Sequence, residues 1–293
     1  MKPEKMLKQY RVEHGKDFRL KDYDPGDTAG LKSEFKPQAR ELLAKGVEAL
    51  ATLQDVLAAQ DRWGLLVIFQ ALDAAGKDGT IKHVMSGVNP QGVSVHSFKA
   101  PSSEELDHDF LWRTTKCAPS RGEIGIFNRS YYEEVLVVRV HTELLQKEKL
   151  PKHLVTKDIW NERFEDINAY ERYLTRNGIA ILKIFLHLSK KEQKRRFLER
   201  LEVPEKNWKF SAADVRERQF WDDYQDAYED LIRNTAHPHA PWYVVPADNK
   251  WFSRLLVAGA IVHTLKELKL GYPKVDAAQK AELEKAKEQL LSE

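Results

Sequence analysis

The chain contains 293 residues, of which 42% are hydrophobic and 10% aromatic, so it can bury a substantial core and is not expected to be disordered. Its 47 basic and 45 acidic residues nearly cancel to a net charge of +2, which argues against a nucleic-acid-binding protein. The single cysteine, Cys117, excludes an intrachain disulfide framework. The charged N-terminus and the lack of a long apolar run predict a soluble, cytoplasmic protein without a membrane partner.

The order of the predicted elements indicates an α/β fold. Residues 1–35 are polar and rich in turns, and we expect an arm laid over the domain. Residues 37–60 have apolar positions at helical spacing and begin with a proline, which is typical of a long helix. Short apolar runs then alternate with helical patterns; the runs are GLLVIFQ, GVSVHSF, GEIGIFN, GIAILKIFLHL and PWYVVPA. This alternation predicts a central parallel sheet of about five strands with helices on both faces.

A long, highly charged helical segment separates the fourth and fifth predicted strands. It covers residues 189–235 and contains a proline-bearing turn. We expect this segment to act as a lid over the carboxyl edge of the sheet. The predicted organisation is therefore an arm over residues 1–35, a catalytic domain over 36–270 that includes the lid, and a C-terminal helical tail over 271–293.

The stretch ALDAAGKDGTIK, directly after the first apolar run, has the layout of a phosphate-binding loop. It departs from the pattern G-x-x-x-x-G-K-[ST] at two positions, with Ala71 in place of the first glycine and Asp78 in place of the hydroxyl residue. Because that hydroxyl normally holds magnesium, we expect the carboxylate of Asp73 to hold the metal instead, directly or through water. Lys77 would reach the transferring phosphate. The alternative is an ordinary strand-to-helix turn rich in small residues.

A second polar group ends the third apolar run, in GIFNRSYYEEV. Asn128 and Arg129 follow alternating apolar residues, so we expect both at the same carboxyl edge as the loop. Phosphoryl transfer needs a metal ligand and a phosphate clamp at that edge. Ser130 is expected to cap the next helix. The alternative is a capped helix start with Arg129 in a surface ion pair.

Together these segments resemble the polyphosphate kinase 2 family. The loop DAAGKDGTIK, the segment FNRSYYEEV and the lid-like RRFLERLEVPEKNWKFSAAD occur in the family's order and spacing, over roughly residues 40–270. The resemblance implies a three-layer α/β/α P-loop kinase-like fold with a helical lid. It also implies Mg²⁺-dependent transfer of a terminal phosphate between inorganic polyphosphate and a nucleotide, with Mn²⁺ as an alternative metal. Many family members have aspartate where this chain has Asn128, and the asparagine resembles the subgroup that phosphorylates both nucleoside mono- and diphosphates.

The resemblance, together with the pattern of the loop and the nearby cations, indicates site residues. Those expected to be catalytic are Asp73, Lys77, Asn128 and Arg129, with Asp73 and Asn128 as metal ligands. Those expected to bind polyphosphate or nucleotide are Ala74, Ala75, Gly76, Asp78, Gly79, Thr80, Lys82, Arg113, Lys116, Arg121, Glu133 and the lid residues Arg196, Arg200, Lys209 and Asp214. A polyphosphate chain carries about one negative charge per phosphate, so it needs a row of cations with little demand for shape. The alternative for the lid cations is a solvated helix face.

The function predicted from the sequence is transfer of the terminal phosphate of polyphosphate to AMP and ADP, giving ADP and ATP. The expected partners are polyphosphate, AMP, ADP and ATP, and the expected assembly is a homo-oligomer. Two other classes stay open at this point. One is an ATP-dependent kinase of a nucleotide or small metabolite on the same fold, and the other is a non-catalytic polyanion-binding module.

Overall fold

The structure is a computed structural model that describes residues 3–293, with side chains from Lys5 onward. Its strands are β1 (Arg11–Val12), β2 (Gly64–Gln70), β3 (Val93–Ser97), β4 (Ile124–Asn128), β5 (Ile179–His187) and β6 (Trp242–Pro246). Its α-helices are α1 (Pro3–Lys8), α2 (Lys36–Gln60), α3 (Lys77–Val84), α4 (Ser103–Leu106), α5 (Trp112–Thr115), α6 (Val137–Val140), α7 (Ile159–Arg176), α8 (Lys190–Glu202), α9 (Ala212–Glu217), α10 (Trp221–Thr235), α11 (Lys250–Glu267) and α12 (Ala277–Leu291).

The strands form one sheet in the order β1-β6-β5-β2-β4-β3. The five strands predicted from the apolar runs are all present, and each is parallel to its neighbours among them. The predicted strand number is corrected from about five to six in the described residues, because the arm contributes β1, which pairs antiparallel with β6. β1 contains only Arg11 and Val12, which is too short to show an alternating pattern in a sequence.

Helices cover both faces of the sheet, which confirms the three-layer α/β/α fold. On one face, α2, α3 and α11 pack on the strands through side chains such as Leu50, Leu57 and Leu256. On the other face, α7 and α10 pack through side chains such as Ile167 and Leu231. The central strands β2 and β5 have almost continuously apolar sequences and are buried on both sides, whereas the edge strand β3 is partly exposed.

The arm and the tail differ in burial. The arm side chains Leu7, Tyr10, Phe18 and Leu20 are buried, so the arm belongs to the core of the domain. Helix α12 has no buried side chain. The predicted boundaries of arm, catalytic domain and tail stay predictions. No helix in residues 3–293 is both long and apolar enough to cross a membrane.

The charged segment after β5 lies at the carboxyl edge of the sheet. Ser189 caps α8 by accepting a hydrogen bond from the Glu192 amide at 3.1 Å. Neither the 3₁₀ turn over residues 204–209 nor α9 has a buried side chain, whereas α10 is packed into the core through residues such as Ile232. The segment adjoins the loop over more than its exposed part, because Arg218, Trp221 and Tyr224 line the same pocket as Asp73.

Candidate active site

The predicted phosphate-binding loop connects β2 to α3. Ala74 and Gly76 have φ angles of 64° and 103°, in the left-handed region that glycine adopts without a steric penalty. α3 begins at Lys77, and the Thr80 amide donates to the Gly76 carbonyl at 2.9 Å. The unpaired amides of the first helical turn therefore point to the carboxyl edge of the sheet, where they favour an anion.

Lys77 is held inside this loop. Its Nζ donates to the Ala71 carbonyl oxygen at 2.9 Å, which leaves two ammonium donors for a ligand. Burial, and then the neighbouring Arg129 guanidinium, lowers the pKa of Lys77 to about 8. A bound polyanion would favour the charged ammonium again, because an opposite charge raises the pKa of a lysine.

Arg129 is clamped between two carboxylates. Its φ angle of 65° is unusual for a residue other than glycine, and such strain is common at functional sites. Nη2 donates to Asp73 Oδ1 at 2.8 Å, and Nη1 donates to Glu133 Oε2 at 3.0 Å. Gln70 Nε2 holds the other Glu133 oxygen at 2.9 Å. The Glu133 carboxylate, opposed by burial and assisted by Asp73, raises the pKa of Arg129, so the guanidinium remains charged.

Asn128 contacts the loop rather than solvent alone. It pairs in register with Phe69 of β2, and its Nδ2 donates to Asp78 Oδ1 at 2.6 Å. This contact uses one of the two N–H donors of the amide. The Asn128 carbonyl oxygen accepts no hydrogen bond from residues 5–293. An aspartate at position 128 would place a second carboxylate beside Asp78.

The oxygen atoms at this edge suit a hard divalent cation. Asp73 and Asp78 each use one carboxylate oxygen in the contacts above, and each keeps a second oxygen for a ligand. The described residues contain no group of three His, Cys, Asp or Glu side chains that could hold a metal by themselves. Mg²⁺ is commonly held by one or two carboxylates, water and substrate phosphates. These residues therefore fit a Mg²⁺ ion that shares its coordination with bound phosphates.

Arg196, predicted as a binding residue of the lid, lines the groove but is also buried against the loop. The side chain is only 4% exposed. Its Nη1 and Nη2 atoms donate to four backbone carbonyls, at distances of 2.6 to 3.1 Å, which belong to Ala74, Ala75, Ala247 and Asp248. Arg196 therefore joins the loop to the segment between β6 and α11. The guanidinium satisfies carbonyls that would otherwise be buried without partners.

A cationic groove opens in front of the loop, with a volume of about 670 Å³. We define it by its cations, Lys99, Arg200, Lys206, Lys209, Lys250 and Arg254. The sequence predicted Arg200 and Lys209 here, and also Lys77, Arg129 and Arg196, which line the groove beside these cations. It missed Lys99, Lys206, Lys250 and Arg254. Arg254 is close to the loop, since a Cβ atom added at Gly79 would lie 3.8 Å from its Nη2. Lys250 and Arg254 follow the fifth predicted strand, so the carboxyl-edge rule applied to that strand would have found both.

Of the remaining predicted binding residues, some lie near the loop and others lie away from it. Lys82 is exposed on α3, and Thr80 is buried beneath the loop. Lys116 Nζ lies 3.5 Å from the centre of the Trp112 ring, outside the groove. The prediction for Arg121 is wrong, because this residue precedes β4 and lies at the amino edge of the sheet, where it donates to the Asn177 carbonyl at 3.1 Å. Asp214 lies opposite the loop and accepts a hydrogen bond from Arg200 at 3.2 Å.

An apolar cavity of about 270 Å³ adjoins the groove. We define it by its apolar walls, Phe98, Leu106, Phe110, Val137, Val138 and Leu144. Arg129 lines both the groove and the cavity, and Glu133 lines the cavity beside it. The predicted residue Arg113 also lies here and donates to the Lys99 carbonyl at 2.7 Å. The sequence did not reveal this cavity because its walls come from several short segments without a shared pattern.

A buried polar cluster holds the segment that follows Arg129. Lys183 Nζ and Glu171 Oε2 are 2.6 Å apart, and both side chains are fully buried. The hydroxyls of Tyr131 and Tyr132 donate to Glu171 Oε1 at 2.9 and 2.7 Å. Ser130 caps this segment by accepting from the Tyr132 amide at 3.1 Å, which confirms the predicted cap on a 3₁₀ turn instead of an α-helix.

Fold and site together define a phosphotransferase of the P-loop kinase type. The class follows from a phosphate-binding loop after the central parallel strand, a lysine within that loop, and an arginine held by two carboxylates at the next strand end. The chain matches the family model described as "Polyphosphate kinase 2" over residues 33–272. It belongs to the polyphosphate kinase 2 family.

Similar proteins agree with this assignment. The chain is 52% identical to the ADP-polyphosphate phosphotransferase of Rhodopseudomonas palustris, over 97% of this chain and 98% of that protein. It is 46% identical to the AMP/ADP-polyphosphate phosphotransferase of Meiothermus ruber, over 93% of this chain and 97% of that protein. The crystal structure of Polyphosphate Kinase 2 from Arthrobacter aurescens has a TM-score of 0.85 at 40% identity, with 97% of both chains covered.

Proposed function

We propose that this protein transfers the terminal phosphate of inorganic polyphosphate to AMP and to ADP, with Mg²⁺ as the metal. The observation that carries this proposal is the position of Arg129, where the cationic groove meets the apolar cavity. A polyanion suits the groove and a nucleotide base suits the cavity, so the two phosphate ends would meet at Arg129 and Lys77. The names of the relatives from R. palustris and M. ruber support polyphosphate as the donor and adenine nucleotides as acceptors.

The donor chain would lie along the groove. Its cations come from the loop after β3, the lid and the start of α11, so they form a row rather than one compact pocket. Such a row binds a charged chain without demanding a single shape. The end of the chain would reach the amides at the start of α3 and the ammonium of Lys77.

The acceptor would lie with its base in the apolar cavity and its phosphate at Arg129. Apolar and aromatic walls with few polar groups are typical of sites for a small organic ligand. Phe98 and Phe110 provide faces on which a base can stack. A cavity of about 270 Å³ lies close to the lower limit of about 300 Å³ for such sites.

The transfer itself needs no nucleophilic side chain. An oxygen of the acceptor's terminal phosphate forms a bond to the terminal phosphorus of polyphosphate. The bond from that phosphorus to its bridging oxygen breaks, and its electron pair leaves with the polyphosphate chain shortened by one phosphate. Lys77 and Arg129 neutralise the charge that spreads over the transferring group. A bound Mg²⁺ would supply further neutralisation of the phosphate oxygens, held by Asp73 and Asn128.

Asn128 is proposed to let one site accept both AMP and ADP. An aspartate at this position would add a negative charge beside Asp78, and its repulsion would depend on how many phosphates the acceptor brings. Asparagine keeps the shape and removes that charge. We expect Asn128→Asp to shift the ratio of kcat/KM for AMP against ADP several-fold, or by about 1 kcal/mol. An unchanged ratio in an active variant would show that Asn128 does not choose the acceptor.

The proposed function is tested by incubating the purified protein and Mg²⁺ with AMP or ADP, with and without polyphosphate. The expected result is ADP and ATP only when polyphosphate is present, and none after chelation of the metal. If polyphosphate yields no nucleotide product while another acceptor is phosphorylated from ATP, the protein is an ATP-dependent kinase. Polyphosphate binding without any transfer would indicate a binding module.

A further inference from the structure

Gln193, near the start of α8, joins the phosphate-binding loop to the lid. Its side chain is only 3% exposed. Nε2 donates to the Asp73 carbonyl oxygen at 2.9 Å, and Oε1 accepts from Arg218 Nη1 at 2.6 Å. Arg218 lies in the 3₁₀ turn Arg218–Phe220, between α9 and α10. One side chain therefore contacts the loop and a distant part of the lid at the same time.

These two partners determine which way the Gln193 amide is turned. A guanidinium can only donate hydrogen bonds, and a backbone carbonyl can only accept them. The Gln193 oxygen must therefore face Arg218, and its NH₂ group must face Asp73. The Arg218 guanidinium is itself tied to α8, because Nη1 also donates to the Lys190 carbonyl oxygen at 3.3 Å.

α8 holds three successive carbonyl groups of the loop. Gln193 holds that of Asp73, and Arg196 holds those of Ala74 and Ala75 at 2.9 and 2.8 Å. In a trans peptide the C=O group and the N–H group of the next residue point in opposite directions. The contact between Gln193 and the Asp73 carbonyl therefore turns the Ala74 amide away from α8.

The Ala74 amide is free for a ligand. It donates no hydrogen bond to any acceptor in residues 5–293. Ala74 lines the cationic groove, and backbone amides of such loops bind phosphate oxygens. Its φ angle of 64° is strained for alanine, so contacts from outside the loop are needed to keep this conformation.

We infer that Gln193 is a positioning residue for the phosphate donor. It holds the peptide between Asp73 and Ala74 so that the Ala74 amide donates to the phosphate at the end of the chain, and Arg218 keeps Gln193 in the required orientation. This inference rests on the proposed function for the identity of the donor. Because the effect passes through one peptide of the loop, its loss should weaken a short ligand more than a long chain held along the whole groove.

Binding of tripolyphosphate and of long-chain polyphosphate to the full-length protein, measured by calorimetry in one buffer, tests this inference. Gln193→Met removes both hydrogen bonds without changing the charge. The matched control is Gln54→Met on α2, outside the groove. Gln54 is 1% exposed and also makes one donor and one acceptor contact, both with the Asn89 backbone at 2.8 Å. Thermal melts compare the stability of the two variants.

We expect Gln193→Met to raise the Kd for tripolyphosphate about tenfold, because an amide–phosphate hydrogen bond is charge-assisted, and to raise the Kd for long-chain polyphosphate less than about threefold. Gln54→Met should leave both Kd values within about twofold of the wild type, even if it lowers the melting temperature as much. Arg218→Met should weaken tripolyphosphate binding in the wild type but have little further effect in Gln193→Met, because Arg218 acts through Gln193.

The inference is overturned if Gln193→Met keeps the wild-type Kd for tripolyphosphate, if it weakens both ligands by the same factor, or if Gln54→Met weakens tripolyphosphate equally. Fully additive effects of the Arg218 and Gln193 variants would overturn the role of Arg218. If Gln193→Met does not fold, Gln193→Glu decides by the same ratio of Kd values. That variant keeps an acceptor for Arg218 but turns an oxygen, instead of an NH₂ group, to the Asp73 carbonyl.

These outcomes are distinguishable from failure of the proposed function. The reaction of AMP with polyphosphate tests the function, whereas binding of tripolyphosphate requires neither nucleotide nor turnover. Binding by the wild type without transfer would contradict the proposed function and leave the role of Gln193 to be decided by the variants. A wild type that does not bind tripolyphosphate would overturn the inference directly.

Discussion

The cationic groove and the apolar cavity meet at Arg129 but compensate their charges differently. In the groove, Lys99, Lys250 and Arg254 form no ion pair within the part of the chain that the structure describes. In the cavity, two of the charged lining side chains are paired: Arg113 lies 3.7 Å from Glu105, and Arg163 holds Glu148. Uncompensated cations suit a polyanion of variable length, whereas a cavity with apolar and aromatic walls suits a base. In this account the groove provides affinity for the donor, and the cavity provides selectivity for the acceptor.

The largest effect should come from the junction of the two regions. Asp73→Asn and Lys77→Ala each remove a group next to the transferring phosphate, so each should lose about 3 kcal/mol of transition-state stabilisation, or a hundredfold or more in kcat. Steady-state kinetics at saturating Mg²⁺ measure the change. Both side chains are half-buried, so thermal melts check that each variant folds. Turnover close to that of the wild type would remove the residue from the mechanism.

The charge of Lys77 should give the donor side its own pH dependence. Because its pKa in the free protein is about 8, the ammonium is charged below that pH and is lost as the pH rises. We expect kcat/KM for polyphosphate to fall about tenfold per pH unit above this value. Lys77→Arg should remove the alkaline fall, since arginine stays charged. The pKa of Glu134 is also raised to about 8. Glu134→Gln cannot titrate, so it should leave the alkaline fall in place and distinguish Lys77 from Glu134 as its cause.

A smaller effect is expected along the groove. The double variant Arg200→Ala and Lys209→Ala should raise the KM for polyphosphate several-fold and flatten its salt dependence, because these side chains act as partly exposed charges. Arg121→Ala is the matched control, since it removes a cation at the opposite edge of the sheet. If the KM and the salt dependence of the double variant are unchanged, the lid cations form a solvated helix face and do not bind polyphosphate.

Arg196→Met should lower kcat and thermal stability together, because it leaves loop carbonyls unpaired.

The sequence predicts the parts of the site that depend on strand ends. Asp73, Lys77, Asn128 and Arg129 follow apolar runs, and parallel strands bring their carboxyl ends to one edge, so the sequence pattern is sufficient. The same pattern predicts five of the six strands in the described residues. The pattern cannot reveal β1, because a strand of two residues is too short to show alternation.

The sequence does not predict the parts that depend on which way a side chain turns. Arg196 and Arg200 lie one helical turn apart on α8, yet one is buried under the loop and the other faces the groove. Arg121 reads as another cation near the motifs, but its position before β4 places it at the wrong edge. Glu134 and Glu148 line the same cavity although they come from separate segments, and no sequence pattern indicates that these segments meet.

Binding of each substrate alone tests most directly whether donor and acceptor occupy separate regions. Val138→Trp fills the apolar cavity, and the double variant Lys250→Ala and Arg254→Ala removes cations from the groove. Calorimetry with AMP and, separately, with polyphosphate should show that Val138→Trp abolishes AMP binding and leaves the Kd for polyphosphate unchanged. The groove variant should show the reverse. If one variant weakens both ligands equally, or if filling the cavity leaves AMP binding intact, the division of the site into a donor groove and an acceptor cavity is contradicted.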